Sequence, residues 1–306
     1  MKYNIDYIKK FKISLIMAII LLITGCNVSV GNDRVPDADY HSGTEGLDLR
    51  FLSDAPPSKL YNGDSLDVMV EVTNRGVADV ANGRIYLSGY DPEYISLSPS
   101  ETTITIEGKS IYNPDGRLNE VKTFVDGYVE VPDGADSLTQ NIKATACYKY
   151  NTELFASACI DPNPRSTGTK VCTPHTLSFG GGQGGPIAVT SIEQETGKGK
   201  VTFKINFENQ GGGTVFDPHK GILNCHTDLD YQDIDIVDVT AKISNKALTC
   251  EPNGGVGVRL VDGQGFVYCY YTSGDLGDDA YSTQISVFID YAYRNSITKS
   301  IEVVNI

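Results

Sequence analysis

Residues 66–76 read LDVMVEVTNRG and contain the pattern that decides the class of fold. The valines stand at every second position, so they would share one face of a strand while the residues between them occupy the other. A period of two with one polar face is typical of an antiparallel sheet that is packed on one side. Asn74 and Gly76 follow, and because both residue types tolerate a positive φ we expect the chain to turn there.

The same signature returns in the second half of the chain. Residues 201–207 again carry apolar side chains at every second position, and Asn209 and Gly211 follow at an offset of 135 residues from the first copy. A second match, at an offset of 143 residues, relates YKY at 148–150 to YAY at 291–293. Two matches in the same order indicate an internal duplication, with chance similarity between β sequences as the alternative.

The remaining pattern supports an all-β chain. No segment after residue 30 keeps an i, i+3, i+4, i+7 apolar stripe over three turns. Each half measures about 120 residues, which suits a two-sheet sandwich of immunoglobulin type. We therefore predict two tandem Ig-like β-sandwich domains, at 47–160 and 187–306. The Pro- and Gly-rich residues 161–186 are interpreted as a linker, and no Lys-Ser/Thr follows their glycine run, which excludes a phosphate-binding loop.

The run V-x-V-x-V-x-N-x-G from Val68 to Gly76 resembles the CARDB-like and related Ig-like domains of prokaryotic surface proteins. The resemblance covers one strand and one turn in each half, since residues 201–211 repeat it with Phe and Ile substituted. It implies a sandwich at the cell surface with a role in adhesion, assembly or spacing. The antibody subclass is excluded, because the chain has no Trp and Val267 stands where a Tyr would precede Cys269 by two residues.

The first residues have the pattern of an export signal. Four lysines precede an apolar run over 13–23, which is long enough for a signal peptide but too short to cross a bilayer as a stable helix. The run ends in ITGC at 23–26, which resembles the lipobox of prokaryotic lipoproteins; an uncleaved signal anchor is the alternative. The resemblance implies a signal peptide over 1–25, a lipid on Cys26, and a lipid anchor with a flexible tether over 26–46. We expect an extracytoplasmic, membrane-anchored protein at the cell surface or in the periplasm.

The overall charge limits the classes of partner. The chain has 25 Lys and Arg against 39 Asp and Glu, which gives a net charge of −14. Nucleic acid is excluded as a partner, because its phosphates need a basic face. An acidic body is also repelled by anionic headgroups, so we expect membrane attachment to come from the lipid and not from a basic patch.

Six cysteines remain once Cys26 is assigned to the lipid, and an even number in an exported chain predicts disulfides. Residues 142–160 are expected to form a hairpin turning near 151–153, in which Cys147 and Cys159 lie opposite each other and can be bridged. The chain has no C-x2-C motif and no His and Cys at the spacing of a zinc site, so a zinc site is not predicted. The remaining expected pairs are Cys250–Cys269 and Cys172–Cys225.

The chain lacks the motifs of common enzymes. It has no G-x-S-x-G and no H-E-x-x-H, so we predict that it is not an enzyme and needs no cofactor. Calcium is considered because Asp275, Asp278 and Asp279 share a Gly-rich loop and because 228–235 holds four aspartates, and Ca²⁺ takes six to eight oxygen ligands. A solvated acidic surface is the alternative.

Tyrosines pose a further question, since six of the 18 lie within 268–293. A Tyr-lined face could bind a glycan or a protein, although the pairs at 148–150 and 291–293 are interpreted as inward-facing. We expect a non-enzymatic cell-surface lipoprotein that serves binding, adhesion or structural spacing, with another surface protein or a glycan as partner. The alternative is a calcium-dependent or carbohydrate- or protein-binding module with its site in loops of the second domain.

Overall fold

The computed structural model describes residues 40–306 except 117, 198, 224, 228 and 273–275. The expected signal peptide, the lipidated Cys26 and most of the tether therefore lie outside the described residues. Within the described part of the chain, no helix has both the length and the apolar character needed to span a membrane. Strands dominate this part, which also contains a 3₁₀ turn at Asn253–Gly255.

The strands are numbered in chain order. They are β1 (Leu47–Phe51), β2 (Lys59–Tyr61), β3 (Ser65–Asn74), β4 (Val80–Ser88), β5 (Ile95–Ser96), β6 (Glu101–Ile106), β7 (Leu118–Val129), β8 (Ser137–Ile160), β9 (Leu177–Ser178), β10 (Ile187–Gly197), β11 (Lys200–Asn209), β12 (Thr214–Phe216), β13 (Ile236–Ile243), β14 (Lys246–Ala247), β15 (Thr249–Glu251), β16 (Val258–Arg259), β17 (Gln264–Thr272) and β18 (Tyr281–Val304).

These strands form three sheets. A four-stranded sheet has the order β1-β3-β7-β5 and a five-stranded sheet the order β15-β17-β11-β10-β9. A nine-stranded sheet, called the shared sheet, runs β14-β13-β18-β8-β4-β6, with β12 and β2 beside β18 and β16 beside β13. The expected all-β class with two sandwiches is confirmed, since each half combines one smaller sheet with part of the shared sheet.

The shared sheet is joined by β8 and β18, which pair antiparallel along all 24 residues. The hairpin expected near 151–153 is therefore wrong. Asn151 lies opposite Asp290 on β18. The hydroxyl of the buried Thr152 donates a hydrogen bond to the carbonyl of Ile187 at 2.7 Å. Pairing with β18 and this buried contact outweigh the local preference of Asn for a turn.

One face of β8 supplies the core of both halves. Its even-numbered side chains are buried from Ile142 to Tyr150, as the sequence predicts, and burial on this face extends to Ile160. Buried residues from all three sheets form one continuous hydrophobic cluster. Residues 39–306 consequently form one compact unit.

The segment 161–186 is not a free spacer between the sandwiches. Gln183 is buried and its side chain bonds both backbone groups of Val189, accepting from the N–H at 2.7 Å and donating to the carbonyl at 3.2 Å. The carbonyl of Gly184 accepts a hydrogen bond from the N–H of Val77 in the first half at 2.8 Å. Gly184 has a φ of +75°, and an added Cβ would lie 2.1 Å from the Val77 side chain, so this close approach requires glycine.

The described residues contain three disulfides, Cys147–Cys225, Cys159–Cys172 and Cys250–Cys269. The last is confirmed, since its residues lie opposite each other on β15 and β17. The expected pairs Cys147–Cys159 and Cys172–Cys225 are wrong. Because β8 runs without a turn, positions 147 and 159 lie about 40 Å apart along one strand.

Cys147 nevertheless lies on the outer face of β8, away from the main core, as expected. There it belongs to a second small cluster with Tyr86, Phe216, Cys225 and Ala292. The chain around Cys225 covers this part of the shared sheet, and the Tyr86 hydroxyl donates to the carbonyl of Ile222 at 3.2 Å. A loop from the second half is thus linked covalently to a strand of the first.

The two halves repeat the same hydrogen bonds. The Leu47 N–H donates to the Tyr148 hydroxyl at 3.0 Å, and the Ile187 N–H donates to the Tyr291 hydroxyl at 3.4 Å. Tyr148 lies opposite Tyr293 in the β8–β18 register, while its counterpart Tyr291 lies opposite Tyr150. When the two halves are exchanged, the pair Tyr148–Tyr293 becomes the pair Tyr291–Tyr150. The register therefore has pseudo-two-fold symmetry, which supports an internal duplication.

Candidate functional site

A row of aromatic side chains lies on the solvent face of the five-stranded sheet. Strand β17 directs Val267 and Cys269 into the core, and this alternation directs Phe266, Tyr268 and Tyr270 outward. Phe266 is 53% exposed and Tyr268 is 45% exposed, which is unusual for such large side chains standing next to each other. These rings are the centre of the candidate site.

Two lysines of β11 lie over these rings. The Lys200 Nζ is 4.4 Å from the ring centroid of Tyr270, and the Lys204 Nζ is 5.4 Å from that of Phe266. At exposed positions a cation over a ring contributes about 0.5–1 kcal/mol, so the ammonium groups help to hold the rings in place. We call Lys200, Lys204, Phe266, Tyr268 and Tyr270 together the aromatic face.

A polar network borders the aromatic face on β10. Glu193 accepts hydrogen bonds from Asn206 at 3.0 Å and from Lys204 at 3.1 Å, and Asn206 also donates to the Ser191 hydroxyl at 3.0 Å. The hydrogen bond from Asn206, followed by that from Lys204, lowers the pKa of the Glu193 carboxyl. The carboxylate therefore stays ionised at neutral pH and keeps the lysine oriented over the sheet.

The geometry of the rings limits what the aromatic face can contact. Phe266 and Tyr268 are 5.7 Å apart between centroids and meet at 78°, edge to face. Two such rings do not present one flat stacking platform, but they do present apolar area, ring edges and a phenol hydroxyl. The aromatic face therefore suits a partner with an uneven surface, which can bury the two rings between its own side chains.

The sequence contained the signal for this face, although the count of tyrosines did not separate it. Residues 266–270 alternate aromatic side chains with Val267 and Cys269, which is the period of a half-buried strand. Counting Tyr residues left out Phe266 and mixed the outward Tyr268 with the inward Tyr291. Assigning each residue of β17 to the inward or the outward face identifies the row of Phe266, Tyr268 and Tyr270.

The four tyrosines of the repeat lie in the core, which confirms their inward assignment. Tyr148, Tyr150, Tyr291 and Tyr293 are each at most 4% exposed. Burial raises the pKa of every one of these hydroxyls. They hold the fold together and are not accessible to a ligand.

The acidic residues considered for calcium do not converge in the described part of the chain. Asp278 and Asp279 are exposed, and Asp275 lies outside the described residues. Among the described residues, no group of three or more His, Cys, Asp or Glu is arranged to hold a metal ion. In the second stretch, Asp233 pairs with Lys220 at 3.1 Å, and burial raises the pKa of Asp235. Calcium binding stays a prediction.

One histidine lies beside a carboxylate. His219 Nε2 is 2.7 Å from Asp238 Oδ2, and the other oxygen of Asp238 accepts the Gly257 N–H at 2.8 Å. The His219 side chain is 67% exposed, so this contact is a surface hydrogen bond that fastens a loop. The expected lack of enzymatic activity stays a prediction.

No protein-family model matches the chain, and no curated protein is significantly similar to it. The likeness to solved structures is weak, as three examples show. The C-terminal globular domain of an oligosaccharyltransferase from Pyrococcus abyssi has a TM-score of 0.22 at 11% identity, over 84% of this chain and 48% of that one. The collagen-binding domain of an Erysipelothrix rhusiopathiae surface protein has a TM-score of 0.13 at 8% identity, over 87% and 95%.

The third structure is a tip adhesin of Pseudomonas aeruginosa, with a TM-score of 0.12 at 11% identity over 86% of this chain and 97% of that one. At such TM-scores the likeness says nothing about function. The resemblances to CARDB-like domains and to lipoproteins stay predictions. The three disulfides indicate an oxidising, extracytoplasmic environment.

Proposed function

We propose that this protein is a non-enzymatic, lipid-anchored surface protein that binds a partner protein through its aromatic face. The observation that carries the proposal is the row of Phe266, Tyr268 and Tyr270 on one solvent-exposed sheet surface. Monomeric proteins seldom expose contiguous aromatic area without a binding role. Aromatic residues also dominate the energy of protein interfaces.

A protein partner is favoured over a glycan by the arrangement of the rings. Phe266 and Tyr268 meet edge to face, so a sugar ring would not stack on both. Lys204, Asn206 and Glu193 supply donors and an acceptor beside the rings, which is the mixture of aromatic centre and polar rim found in protein interfaces. A glycan remains an outcome that the binding experiment can reveal.

The proposed anchor fits this role. The lipid on Cys26 would hold the protein at a membrane, and the tether would leave the sandwiches free to meet a partner. Expression of Cys26→Ser in the native host is expected to release the protein from the membrane fraction. If the variant stays in that fraction with residues 1–25 attached, the signal-anchor alternative is correct.

The binding role is tested with purified protein lacking residues 1–26, labelled with a fluorophore and applied to host or neighbouring cells in flow cytometry. The double variant Phe266→Ala, Tyr268→Ala is expected to lose at least tenfold in apparent affinity, since such anchors each contribute about 1–2 kcal/mol. The matched control is Tyr112→Ala, because Tyr112 is 92% exposed outside the aromatic face.

Pretreatment of the cells separates the classes of partner. Trypsin is expected to abolish binding, whereas glycosidases leave it unchanged. Equal binding by wild type and the double variant would contradict the role of the aromatic face. Loss of binding after glycosidase alone would assign the face to a glycan.

A further inference from the structure

One edge of strand β8 is paired with another strand over only part of its length in the described chain. On one side β8 pairs with β18 along its whole length. On the other side it pairs with β4, and only from Lys143 to Cys147. Between Cys147 and Ile160 no strand of the described residues pairs with this second edge, and the side chain of Gln194 on β10 contacts it only at Cys159. An uncovered edge is a template for the addition of another strand.

The backbone groups on this edge point away from β18. The Cys159 N–H donates to the side chain of Gln194 at 3.2 Å, so odd-numbered residues of β8 direct their N–H groups to the second edge. The alternation of a strand gives the same direction to Asn151, Glu153 and Phe155. In the described part of the chain these three residues make no backbone hydrogen bond on this edge, so their N–H and C=O groups are open to pairing.

A groove follows the same edge. Two adjacent cavities, of about 280 and 470 Å³, share the side chains of His41, Glu153 and Gln183. The smaller cavity extends beside Asn151 and the larger beside Phe155. The four residue steps from Asn151 to Phe155 span about 13 Å, which is the length of a short extended segment lying alongside.

The side chains of the groove define the chemistry of an occupant. Asp79 lies at one end of the groove, Glu153 lies where the two cavities meet, and Phe155, which is 50% exposed, lies with Phe179 at the other end. Residues directly opposite in paired strands share a face. An added strand would thus place a basic residue against Glu153 and an apolar residue, two positions away, against Phe155.

Charge also decides between a second copy and a different protein. The chain has a net charge of −14, so two copies repel each other when they approach. A segment rich in Lys or Arg is attracted instead. Backbone pairing supplies affinity and the alternating side chains supply specificity, as in other cases of strand addition.

We propose that the β8 edge between Asn151 and Phe155 binds an extended basic segment of a partner protein as an added β-strand. The site is separate from the aromatic face, which lies on the five-stranded sheet. It therefore does not depend on the proposed function of that face. The ligand carries Lys or Arg and an apolar residue in alternation on one side.

The first experiment uses fluorescein-labelled Lys-Thr-Leu-Thr-Lys-Thr-Leu and fluorescence anisotropy. In this peptide the Lys and Leu residues lie opposite the odd-numbered residues of β8, so their amides face the groove while the Thr amides face solvent. N-methylation of the Leu and internal Lys amides is expected to weaken binding at least tenfold. N-methylation of the Thr amides is the matched control and is expected to leave affinity within about threefold.

Equal effects of the two methylation patterns, or no binding of the parent peptide, would overturn the proposal. Replacement of both Lys by Glu is expected to weaken binding at least tenfold, because the new carboxylates face Glu153 and Asp79. Unchanged affinity for that acidic peptide would remove the charge argument and overturn the assignment to a basic segment. The variant Tyr268→Ala is expected to bind the parent peptide as wild type does.

The second experiment changes the protein. Glu153→Pro removes a backbone N–H that faces the groove and pairs with no strand of the described chain, so the fold is expected to tolerate it as an edge position does. Glu153→Gln removes the charge but keeps the N–H. Binding is expected to fall moderately in the Gln variant and at least tenfold further in the Pro variant.

Hydrogen exchange on the wild type provides a readout that does not depend on variants. The amides of Glu153 and Phe155 are expected to exchange at least tenfold more slowly with peptide bound. Unchanged exchange at both amides would contradict strand addition. If sedimentation velocity instead shows a dimer that Glu153→Pro abolishes, the occupant is a second copy and the assignment to a basic partner is wrong.

Discussion

The hydroxyl of Tyr150 donates a hydrogen bond to Oδ1 of Asn74 across 3.1 Å, linking the turn after β3 to the middle of the shared sheet. Asn74 is fully buried, donates to the carbonyl of Ala78 at 2.8 Å and accepts the N–H of Gly76 at 3.1 Å. One side chain thus satisfies three partners from two segments. The second half repeats the arrangement, with Tyr293 donating to Asn209 at 3.2 Å.

Substitution of this asparagine is expected to be costly. Asn74→Ala would leave the Tyr150 hydroxyl, the Gly76 N–H and the part-buried carbonyl of Ala78 without this partner, and we expect a loss of about 2–4 kcal/mol in the free energy of unfolding. Asn209→Ala should cost less, because Asn209 is only half-buried. Urea unfolding of both variants measures the difference. Equal losses would show that the two turns do not differ in burial as described.

The disulfide Cys147–Cys225 is expected to stabilise the protein more than Cys159–Cys172. Their sequence separations are 78 and 13 residues, for which loop-closure entropy predicts about 4.5 and 3 kcal/mol. Paired Cys→Ala variants, compared by urea unfolding, test the order. Non-reducing peptide mapping of the wild type should recover a peptide that links Cys147 to Cys225. A peptide linking Cys147 to Cys159 would restore the hairpin that the structure rejects.

The second half is not expected to fold alone. A fragment of residues 187–306 would lose the partner of β18 along 24 residues and would leave Tyr291 without Thr152, whose hydroxyl lies 2.9 Å away. We expect an unfolded or aggregated product by circular dichroism and thermal melting. The control is residues 40–306, which should unfold cooperatively. A cooperative transition in the fragment would mean that the shared sheet is not needed for folding.

Alkaline pH is expected to unfold the protein through its buried tyrosines. Burial raises the pKa of Tyr293 to about 12, against the opposing hydrogen bond from Gly213, and raises that of Tyr148, Tyr150 and Tyr291 as well. The folded state therefore favours the neutral phenol. Its contribution to stability is complete below about pH 10, the pKa in the unfolded chain, and is lost as the pH rises to the folded value.

Urea unfolding at about pH 9, 10 and 11 measures this loss, which reaches about 1.4 kcal/mol per pH unit for each tyrosine. Tyr293→Phe should reduce the slope by one such contribution. The exposed Tyr112 provides the control, since Tyr112→Phe should leave the slope unchanged. A stability that stays constant from pH 9 to 11 would contradict the burial of these hydroxyls.

Much of the local structure could be predicted from particular residues. Val68, Val70 and Val72 are fully buried, and the matching positions of β11 and β18 are buried as well. The turns at Asn74 and Asn209 lie where the Asn-x-Gly sequences stand. These features depend on residues a few positions apart, whose alternation and φ preferences act in any context.

The candidate sites could be predicted only in part. The outward row of Phe266, Tyr268 and Tyr270 follows from the alternation on β17. Its lysines belong to β11, and only the pairing of β11 with β17, which places Lys204 opposite Tyr268, brings the lysines to the aromatic row. The groove beside Glu153 could not be predicted, because its walls come from segments that are distant in the chain.

What the sequence by itself determined is therefore which side of each strand faces the core, where the chain turns after β3 and β11, and that the cysteines suit an oxidising compartment. Only the tertiary structure decided that β8 continues through Asn151, that Cys147 bonds Cys225, and that one sheet joins both halves. The local preference of Asn151 for a turn contributes little free energy compared with the pairing of 24 residues and the burial of one face of β8. Such pairing involves residues more than a hundred positions apart, which no local pattern in the chain encodes.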